Sequence, residues 1–464
     1  MKRLSATAWY ALVFGLFLGL CIWKFGNPVI LDQKILTPVT PSDYLNDAWP
    51  IHWAGWLLLP LAVAGLILIV KNPWSWPSTR WLGLLPLGWL GWQFLAAGSS
   101  VDPELTTATL WQFGGCAASY FLGVLLFARA QVWRWLLPGL FAALIFCLIR
   151  AINQHAFEFP ANYQMLVQGE QSGWTNFPAA NIAEMKTEGI IITTNGLAVA
   201  NPVILTKFLK GRVSGTLVYP NALAQLILLL WPLAFTLALT GTKKLKPLIR
   251  YAAIGMTGFL GGVAFFWTGS KLGWLIAMGI VGLYLLRRDW SQKLKLTAVA
   301  LVLVLGLGVF AVRFHNYLAA GATSVSARFD YWHAAAQTAA DRPVFGTGPG
   351  TFQRPYARLK SPAAEMARLT HNDYLEQFSD SGFPAGLAYT AWIILALLVA
   401  GKKVWSATDP ALFAVFAGVL AWFVQGLGEF GLYVPALAWI AFVLLGCLVG
   451  LGTSSLPVAK AIGR

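Results

Sequence analysis

The histidine His371 lies in a polar segment, residues 370–378, immediately before an apolar run. Imidazole has the side-chain pKa nearest neutrality, so it can accept a proton from a hydroxyl group at working pH. Thr370 and Asp373 have the spacing of a capping box, which predicts that a helix begins here. The positive end of that helix favours neutral imidazole, the form that a general base needs. The residues alone equally allow His371 to be a helix cap or an interface anchor.

The composition of the chain is that of an integral membrane protein. Of 464 residues, 58% are hydrophobic and only 11% are charged, and the mean hydropathy is +0.64. Soluble domains carry about 25% charged residues, so a soluble fold is excluded. The 23 tryptophans agree with this class, because indole rings gather at bilayer interfaces.

The apolar runs predict an all-α, polytopic fold. Dividing them by the roughly 20 residues needed to cross hydrocarbon gives about twelve transmembrane helices. The predicted segments are 9–23, 53–70, 82–97, 108–127, 136–148, 218–239, 252–267, 272–286, 296–312, 383–399, 411–427 and 433–451. The whole chain, 1–464, is read as one transmembrane domain with two long outer loops, 150–217 and 313–382.

The distribution of positive charge predicts the orientation of these helices. If the N-terminus is cytoplasmic, the short outer connections keep only Lys24, Lys34 and Lys271. The cytoplasmic side then carries Lys2, Arg3, Lys71, Arg80, Arg129, Arg134, Lys243, Lys244, Lys246, Arg250, Arg287, Arg288, Lys293, Lys295, Lys402, Lys403, Lys460 and Arg464. This asymmetry follows the positive-inside rule, so both termini are predicted to be cytoplasmic. Topology and membrane lipids therefore explain the net charge of +15, and no nucleic-acid partner is expected.

The two outer loops contain recognisable local patterns. Residues 189–196 form a β-branched run that ends in Asn195-Gly196, which predicts a short hairpin. Residues 326–336 predict a helix that stops at Asp341-Arg342-Pro343. Next comes a glycine-rich run, residues 346–352, in which the backbone N–H groups of Gly348 and Gly350 are candidates to hold an anion. A plain tight turn is the alternative, and the favoured one.

Several motifs together resemble a known family. His371-Asn372, nine further residues and Gly382 resemble the His-Asn and glycine signature of the bacterial O-antigen ligase and polymerase superfamily, although Ala385 replaces the second glycine and Gly386 follows it. Three other passages resemble the family: 219–224, 268–273 and 328–352. The family commonly carries arginine where Lys271 stands here, which keeps the charge but loses the bidentate fork.

The resemblance implies glycan transfer at the periplasmic face of the bacterial inner membrane. The implied donor is a saccharide on undecaprenyl pyrophosphate, and the acceptor is a hydroxyl of lipid A-core, of another glycan or of a protein. His371 is expected to be the base, while Arg328 and Lys271 hold the pyrophosphate. For Lys271, snorkelling to lipid headgroups is the alternative, and for Arg328 it is pairing with Asp330 or Asp341.

Three further residues are candidates to orient His371 or to bind sugar hydroxyls: Asn221, Asn372 and Glu429. For Glu429, a solvated carboxylate in the last outer turn is the favoured interpretation, and Asn372 is expected to support its turn. The chain contains no Asp-x-Asp sequence, so a metal-independent reaction without a cofactor is expected.

Other functions remain open at this stage. A transporter has a similar number of helices, but it usually carries ionisable residues at the membrane midplane and repeated broken helices. The charges of this chain fall at the outer rim instead. A membrane scaffold is a third class. Among transferases, the residues do not separate ligase, polymerase and protein O-glycosylation, although the His-Asn motif resembles ligases most closely.

Overall fold

The protein is mostly helical in its computed structural model, which describes residues 4–71, 79–362 and 364–451. Lys2, Arg3, Lys460 and Arg464, which contributed to the predicted orientation, lie outside the described residues. The helices are α1 (Ala6–Lys24), α2 (Pro41–Asn46), α3 (His52–Lys71), α4 (Leu84–Ala97), α5 (Pro103–Leu122), α6 (Leu137–Asn153), α7 (Phe159–Gln171), α8 (Ala179–Thr187), α9 (Pro202–Lys210), α10 (Pro220–Gly241), α11 (Pro247–Thr268), α12 (Lys271–Leu286), α13 (Gln292–Arg313), α14 (His315–Ala319), α15 (Thr323–Asp341), α16 (Gln353–Leu359), α17 (Asp373–Trp405), α18 (Pro410–Gln425) and α19 (Pro435–Gly450).

The apolar helices agree with a multi-pass membrane protein. Among the described residues, eight helical stretches are long and apolar enough to cross a bilayer. They are Ala6–Lys24, His52–Lys71, Pro103–Phe127, Trp133–Gln171, Pro220–Gly241, Pro247–Thr268, Gln292–Arg313 and Asp373–Trp405. Three shorter apolar helices, α12, α18 and α19, accompany them. A helix lies at each of the twelve predicted segments.

Helix α19 forms the centre of the helical bundle. All residues of α19 are buried. In contrast, no residue of α13 is buried, as expected of a helix that faces lipid. Helix α19 packs closely on α5 and its π-helical extension Gly123–Phe127. Gly446 permits this approach, because a Cβ added there would lie 2.1 Å from the carbonyl oxygen of Tyr120. Small residues allow membrane helices to approach in this way.

The first outer loop is more helical than predicted. Helix α6 continues through a π-helical segment, Gln154–Glu158, into α7 before the chain leaves the bundle. The predicted hairpin is confirmed: β1 (Ile191–Thr194) pairs antiparallel with β2 (Leu197–Ala200), and Ile191 faces Ala200 in the register. Asn195 and Gly196 both have positive φ, as a tight two-residue turn requires. Helix α9 then leads the chain back to α10.

The second outer loop places α15 against α17. The predicted helix 326–336 is part of α15, which ends at Asp341 as expected from the following proline. The glycine-rich run that follows is buried, and α16 leads on to the start of α17. That start lies at Asp373, ten residues before the predicted apolar segment, because α17 includes a non-helical residue, Gly382, between two helical parts.

Gly382 fixes the kink that separates the polar and apolar parts of α17. Its φ is +77° and its ψ is 176°, a conformation available essentially to glycine. A Cβ at this position would lie 2.2 Å from the carbonyl oxygen of Val344. Phe383 N–H donates to Pro343 O at 2.8 Å, so the kink joins α17 to the end of α15.

We expect Gly382→Ala to lower the free energy of unfolding by about 1–3 kcal/mol, because the alanine is both strained and blocked by Val344. Thermal unfolding of the detergent-purified protein measures this loss. Gly91→Ala in α4 is the control, since a Cβ there meets no atom within 4 Å. Equal midpoints for the two variants would contradict the role given to Gly382.

Candidate functional site

His371 stands immediately before the cap of α17, with a positive φ of 53°. The predicted capping box is wrong, because Asn372 is the cap: its Oδ1 accepts from the N–H groups of Tyr374 at 3.1 Å and Leu375 at 3.0 Å. Thr370 instead donates its hydroxyl to Glu376 at 2.8 Å. The side-chain oxygen of Asn372 is therefore engaged by the helix, so its local role is to support the turn that carries His371.

Glu429 joins the candidate residues to one another. It is fully buried, so the expectation of a solvated turn carboxylate is wrong. Its Oε1 accepts from Asn221 Nδ2 at 2.6 Å and from a terminal nitrogen of Arg328 at 2.7 Å. Its Oε2 accepts from the Tyr219 hydroxyl at 2.8 Å and lies 3.3 Å from His371 Nδ1. Segments far apart in the sequence thus meet at one carboxylate.

The turn between α18 and α19 holds Glu429 in this position. Asp373 N–H donates to Gly426 O at 2.7 Å, and Leu432 N–H donates to the Asp373 carboxylate at 3.2 Å. These bonds fasten the turn to the first residue of α17 on both sides of Glu429. Arg328 Nε also donates to Gly428 O at 3.1 Å. The backbone of the turn therefore sets the distance between His371 and Arg328.

The charge state of the site follows from these contacts. Burial opposes ionisation of Glu429, but the hydrogen bond from His371 and the positive charge of Arg328 outweigh it, so the pKa of this carboxyl lies below its ordinary value. Burial, together with the charge of Glu429, raises the pKa of the Tyr219 phenol well above its ordinary value. Tyr219 is therefore a stable hydrogen-bond donor to an ionised Glu429.

Two aromatic rings pack against the imidazole of His371, which nevertheless remains partly exposed to solvent. Tyr331 stacks on it with ring centroids 5.9 Å apart, and Phe430 meets it edge-on at 4.7 Å. With Nδ1 directed at Glu429, the other ring nitrogen, Nε2, is the one available to a substrate. The side chain keeps 26% of its surface exposed, so a hydroxyl group has access to it.

A cluster of cations adjoins the histidine. Arg328 pairs with Glu429 and not with Asp330 or Asp341, and its side chain is 17% exposed. Lys271 places Nζ 3.9 Å from the centroid of the Tyr317 ring. The charges that act most strongly on Lys271 are all positive: Arg212, Arg328, Lys210 and Arg313. Glu429 balances only part of this charge, so the cluster is suited to an anion.

Sequence reasoning missed Arg212. Its Nε donates to Thr268 O at 2.7 Å, and a terminal nitrogen donates to Asn221 Oδ1 at 2.9 Å. Arg212 thus joins Asn221, and through it Glu429, to the end of α11. The available signal was its place in the sequence, because Arg212 is a cation of the first predicted outer loop and lies just before the motif at 219–224. Tyr219 is the first residue of that motif, and its contact with Glu429 was likewise not predicted.

Gly348 and Gly350 do not belong to this site. Gly348 N–H donates to the backbone oxygen of Asp380 at 2.7 Å, and Gly350 N–H donates to Asp380 Oδ2 at 2.8 Å. Both donors are buried and already paired within the protein, which favours the tight turn over the anion site among the two predicted alternatives. A Cβ added at Gly348 would clash with Ser100, and one added at Gly350 would clash with Thr109. The two glycines therefore allow the loop to pack against α5 and the residues just before it.

Comparison with known proteins gives a family match. Residues 256–390 match the family described as O-antigen ligase. This part of the chain is similar to O-antigen ligases. The matched region includes Lys271, Arg328 and His371, whereas Arg212, Asn221 and Glu429 lie outside it. No match to a curated protein was found.

We expect Glu429→Gln to lower kcat by about a hundredfold or more, because an amide cannot balance Arg328 or stabilise a protonated His371. The pH dependence of kcat/KM should change as well, since the variant alters the surroundings of His371, the predicted base. Steady-state transfer rates across pH measure both effects.

The exposed Glu104 gives a matched control, since Glu104→Gln makes the same chemical change in the first turn of α5. It should leave rate and pH profile unaltered. A Glu429→Gln variant with wild-type kcat and pH profile would show that the carboxylate does not support the base.

Proposed function

We propose that the protein transfers a glycan from undecaprenyl pyrophosphate to an acceptor hydroxyl at the outer face of the membrane. The family match supports a membrane glycosyltransferase of the O-antigen ligase and polymerase type. The proposed donor and reaction rest on one observation: a buried carboxylate, Glu429, contacts both His371 and Arg328. It joins a proton acceptor to a group of cations, and glycan transfer from a pyrophosphate requires both.

The base in this reaction is His371. Its Nε2 takes the proton of the acceptor hydroxyl as the hydroxyl oxygen bonds to the anomeric carbon of the donor sugar. The positive charge that then forms on the imidazole lies beside the ionised Glu429, which stabilises it and keeps the ring oriented. The proton is released to solvent afterwards, and the histidine returns to its neutral form.

The leaving group is met by the cations. As the bond from the anomeric carbon to the phosphate oxygen breaks, both bonding electrons go to the pyrophosphate, which gains negative charge. Arg328, Lys271 and Arg212 are placed to stabilise that charge while it develops. Arginine offers directional pairs of donors and lysine a point charge, so the two types act differently on the same anion.

The proposed topology has twelve spans, cytoplasmic termini and a site in the periplasm. The site lies where α10 and α12 begin and α11 ends. The opposite ends of α10 and α12 are followed by Lys243, Lys244, Arg287 and Arg288. Positive charge of this kind favours the cytoplasmic side, so the site faces outward. The two outer loops then belong to one transmembrane domain in an inner membrane.

The proposed acceptor is lipid A-core, with a growing glycan or a protein hydroxyl as the alternatives. Deletion in the native host followed by gel analysis of lipopolysaccharide separates them. A ligase predicts the loss of all capped chains. A single repeat unit on the core would identify a polymerase instead, and an unchanged profile would contradict both and favour another glycan or a protein as acceptor.

We expect His371→Ala and Arg328→Ala each to reduce transfer by about 10²-fold or more while the protein still inserts into membranes. The first removes the proton acceptor and the second a cation for the leaving group. Purified protein, a lipid-linked donor and a core acceptor provide the assay.

Arg342→Ala is the control, since this exposed arginine stands at the end of α15, away from the contacts of Glu429. It should affect transfer far less. Wild-type activity in His371→Ala would refute the assignment of the base, and loss of wild-type transfer on addition of EDTA would refute a metal-independent reaction.

A further inference from the structure

A second carboxylate lies near His371, and it is exposed where Glu429 is buried. Glu365 belongs to the irregular stretch between α16 and α17. Its Oε1 accepts a hydrogen bond from the Tyr331 hydroxyl at 2.6 Å, and its backbone oxygen accepts one from the Tyr356 hydroxyl at 3.0 Å. No cation among the described residues forms an ion pair with it. The two tyrosines therefore fix the carboxylate in place without neutralising its charge.

Tyr331 joins this carboxylate to the imidazole. Its ring stacks on His371 with an interplanar angle of 28°, and its hydroxyl binds Glu365. Tyr331 is itself buried and packs edge-on against Tyr356, with ring centroids 5.3 Å apart. Burial and the neighbouring Glu365 raise the pKa of the Tyr331 phenol, so its hydroxyl stays protonated and continues to donate. The carboxylate is thus held one phenol ring away from the proposed base.

The charge of Glu365 sets it apart from the phosphate-binding side of the site. The charges that act most strongly on Lys271 and Arg212 include Arg328 but not Glu365. A pyrophosphate is attracted by a group of cations and repelled by a carboxylate. An uncharged hydroxyl, in contrast, donates a strong, charge-assisted hydrogen bond to a carboxylate oxygen. Glu365 is therefore suited to a saccharide hydroxyl and not to an anion.

We infer that Glu365 binds a hydroxyl of the acceptor saccharide next to the hydroxyl that His371 deprotonates, an inference that rests on the proposed function. The Oε2 atom of Glu365 accepts no hydrogen bond in the part of the chain that the structure describes, so it is available to a substrate. The acceptor class is then a saccharide with a free hydroxyl beside the reacting one. A phosphate or carboxyl group at that position is rejected by charge, because specificity also arises from repulsion.

The proposed reaction assigns this contact to the acceptor and not to the donor sugar. The base acts on the acceptor hydroxyl, so the acceptor must reach Nε2 of His371. The donor sugar is instead tied through its pyrophosphate to the cations that meet the leaving group. A carboxylate fixed relative to His371, and outside the cation cluster, aligns the molecule that His371 activates. Such alignment of reacting groups is a large source of rate enhancement.

Glu365→Gln tests the contact, because the amide keeps the size of the side chain and still accepts from Tyr331 but removes the charge. The assay uses full-length reconstituted protein, an undecaprenyl-linked donor and a core oligosaccharide as acceptor. We expect KM for the acceptor to rise about tenfold, while kcat and KM for the donor stay within about twofold. Glu184→Gln is the matched control, since it makes the same change at an exposed glutamate of α8, and it should alter none of these constants.

Deoxygenated acceptors separate this contact from a purely structural role of Glu365. Removing the hydroxyl next to the reacting one should raise the acceptor KM of the wild-type protein about tenfold, but change that of Glu365→Gln far less, because the partner is already lost. Tyr331→Phe releases the carboxylate and keeps the ring on His371, so it should also raise the acceptor KM. An unchanged acceptor KM in Glu365→Gln, or equal effects of deoxygenation on the variant and the wild-type protein, would overturn the inference.

Binding of the core oligosaccharide in the absence of donor distinguishes failure of this inference from failure of the proposed function. An NMR titration should show about tenfold weaker binding to Glu365→Gln than to the wild-type protein. Equal affinities, or no binding to either protein, would overturn the role of Glu365. Weaker binding to the variant, together with no transfer from the undecaprenyl donor by the wild-type protein, would refute the proposed function alone.

Discussion

The buried carboxylate of Glu429 is the constraint on which the rest of the site depends. Removing a charged group from water is costly, and a protein tolerates it only where partners satisfy the charge. Glu429 has four such partners, and two of them, His371 and Arg328, carry the proposed chemistry. Because the carboxylate needs its partners, the fold must bring them together. The same contacts that compensate for burial therefore also fix the spacing of the proposed base and cation.

The helical bundle supplies the rigid frame for this carboxylate. Glu429 lies in the turn that leads into α19, which is buried along its entire length. The N-terminus of α17 is bonded to the same turn, and the Gly382 kink ties α17 to the end of α15, the helix that carries Arg328. Movement of any of these elements would change the distance between His371 and Arg328. The nine-residue spacing between Asn372 and Gly382 thus joins the turn at the site to the kink.

Features that depend on local chemistry could be predicted from the sequence. Apolar runs gave the helix positions, the turn dipeptide Asn195-Gly196 gave the hairpin, and a proline marked the end of α15. His371 and Arg328 were chosen by residue type and motif, and the structure brings them to the same carboxylate. The helix and hairpin predictions hold because helix length and turn geometry are set by nearby residues.

Features that depend on distant contacts could not be predicted in this way. Glu429 follows glycines in a short turn and looks solvated, yet its burial is decided by α17 and α15. Gly348 and Gly350 offer N–H donors that appear free in the sequence, but Asp380, thirty residues after Gly350, occupies them. Arg212 becomes part of the site only because the end of α11 lies beside it.

The central claim is that Glu429 builds one site in which His371 faces the donor while the cations hold its pyrophosphate. A structure of the protein with a non-transferable undecaprenyl pyrophosphate saccharide tests this most directly. The account predicts both phosphates among Arg212, Lys271 and Arg328, with the anomeric carbon on the Nε2 side of His371. Phosphates bound away from these three cations, or a donor whose sugar lies on the side of His371 occupied by Glu429, would contradict it.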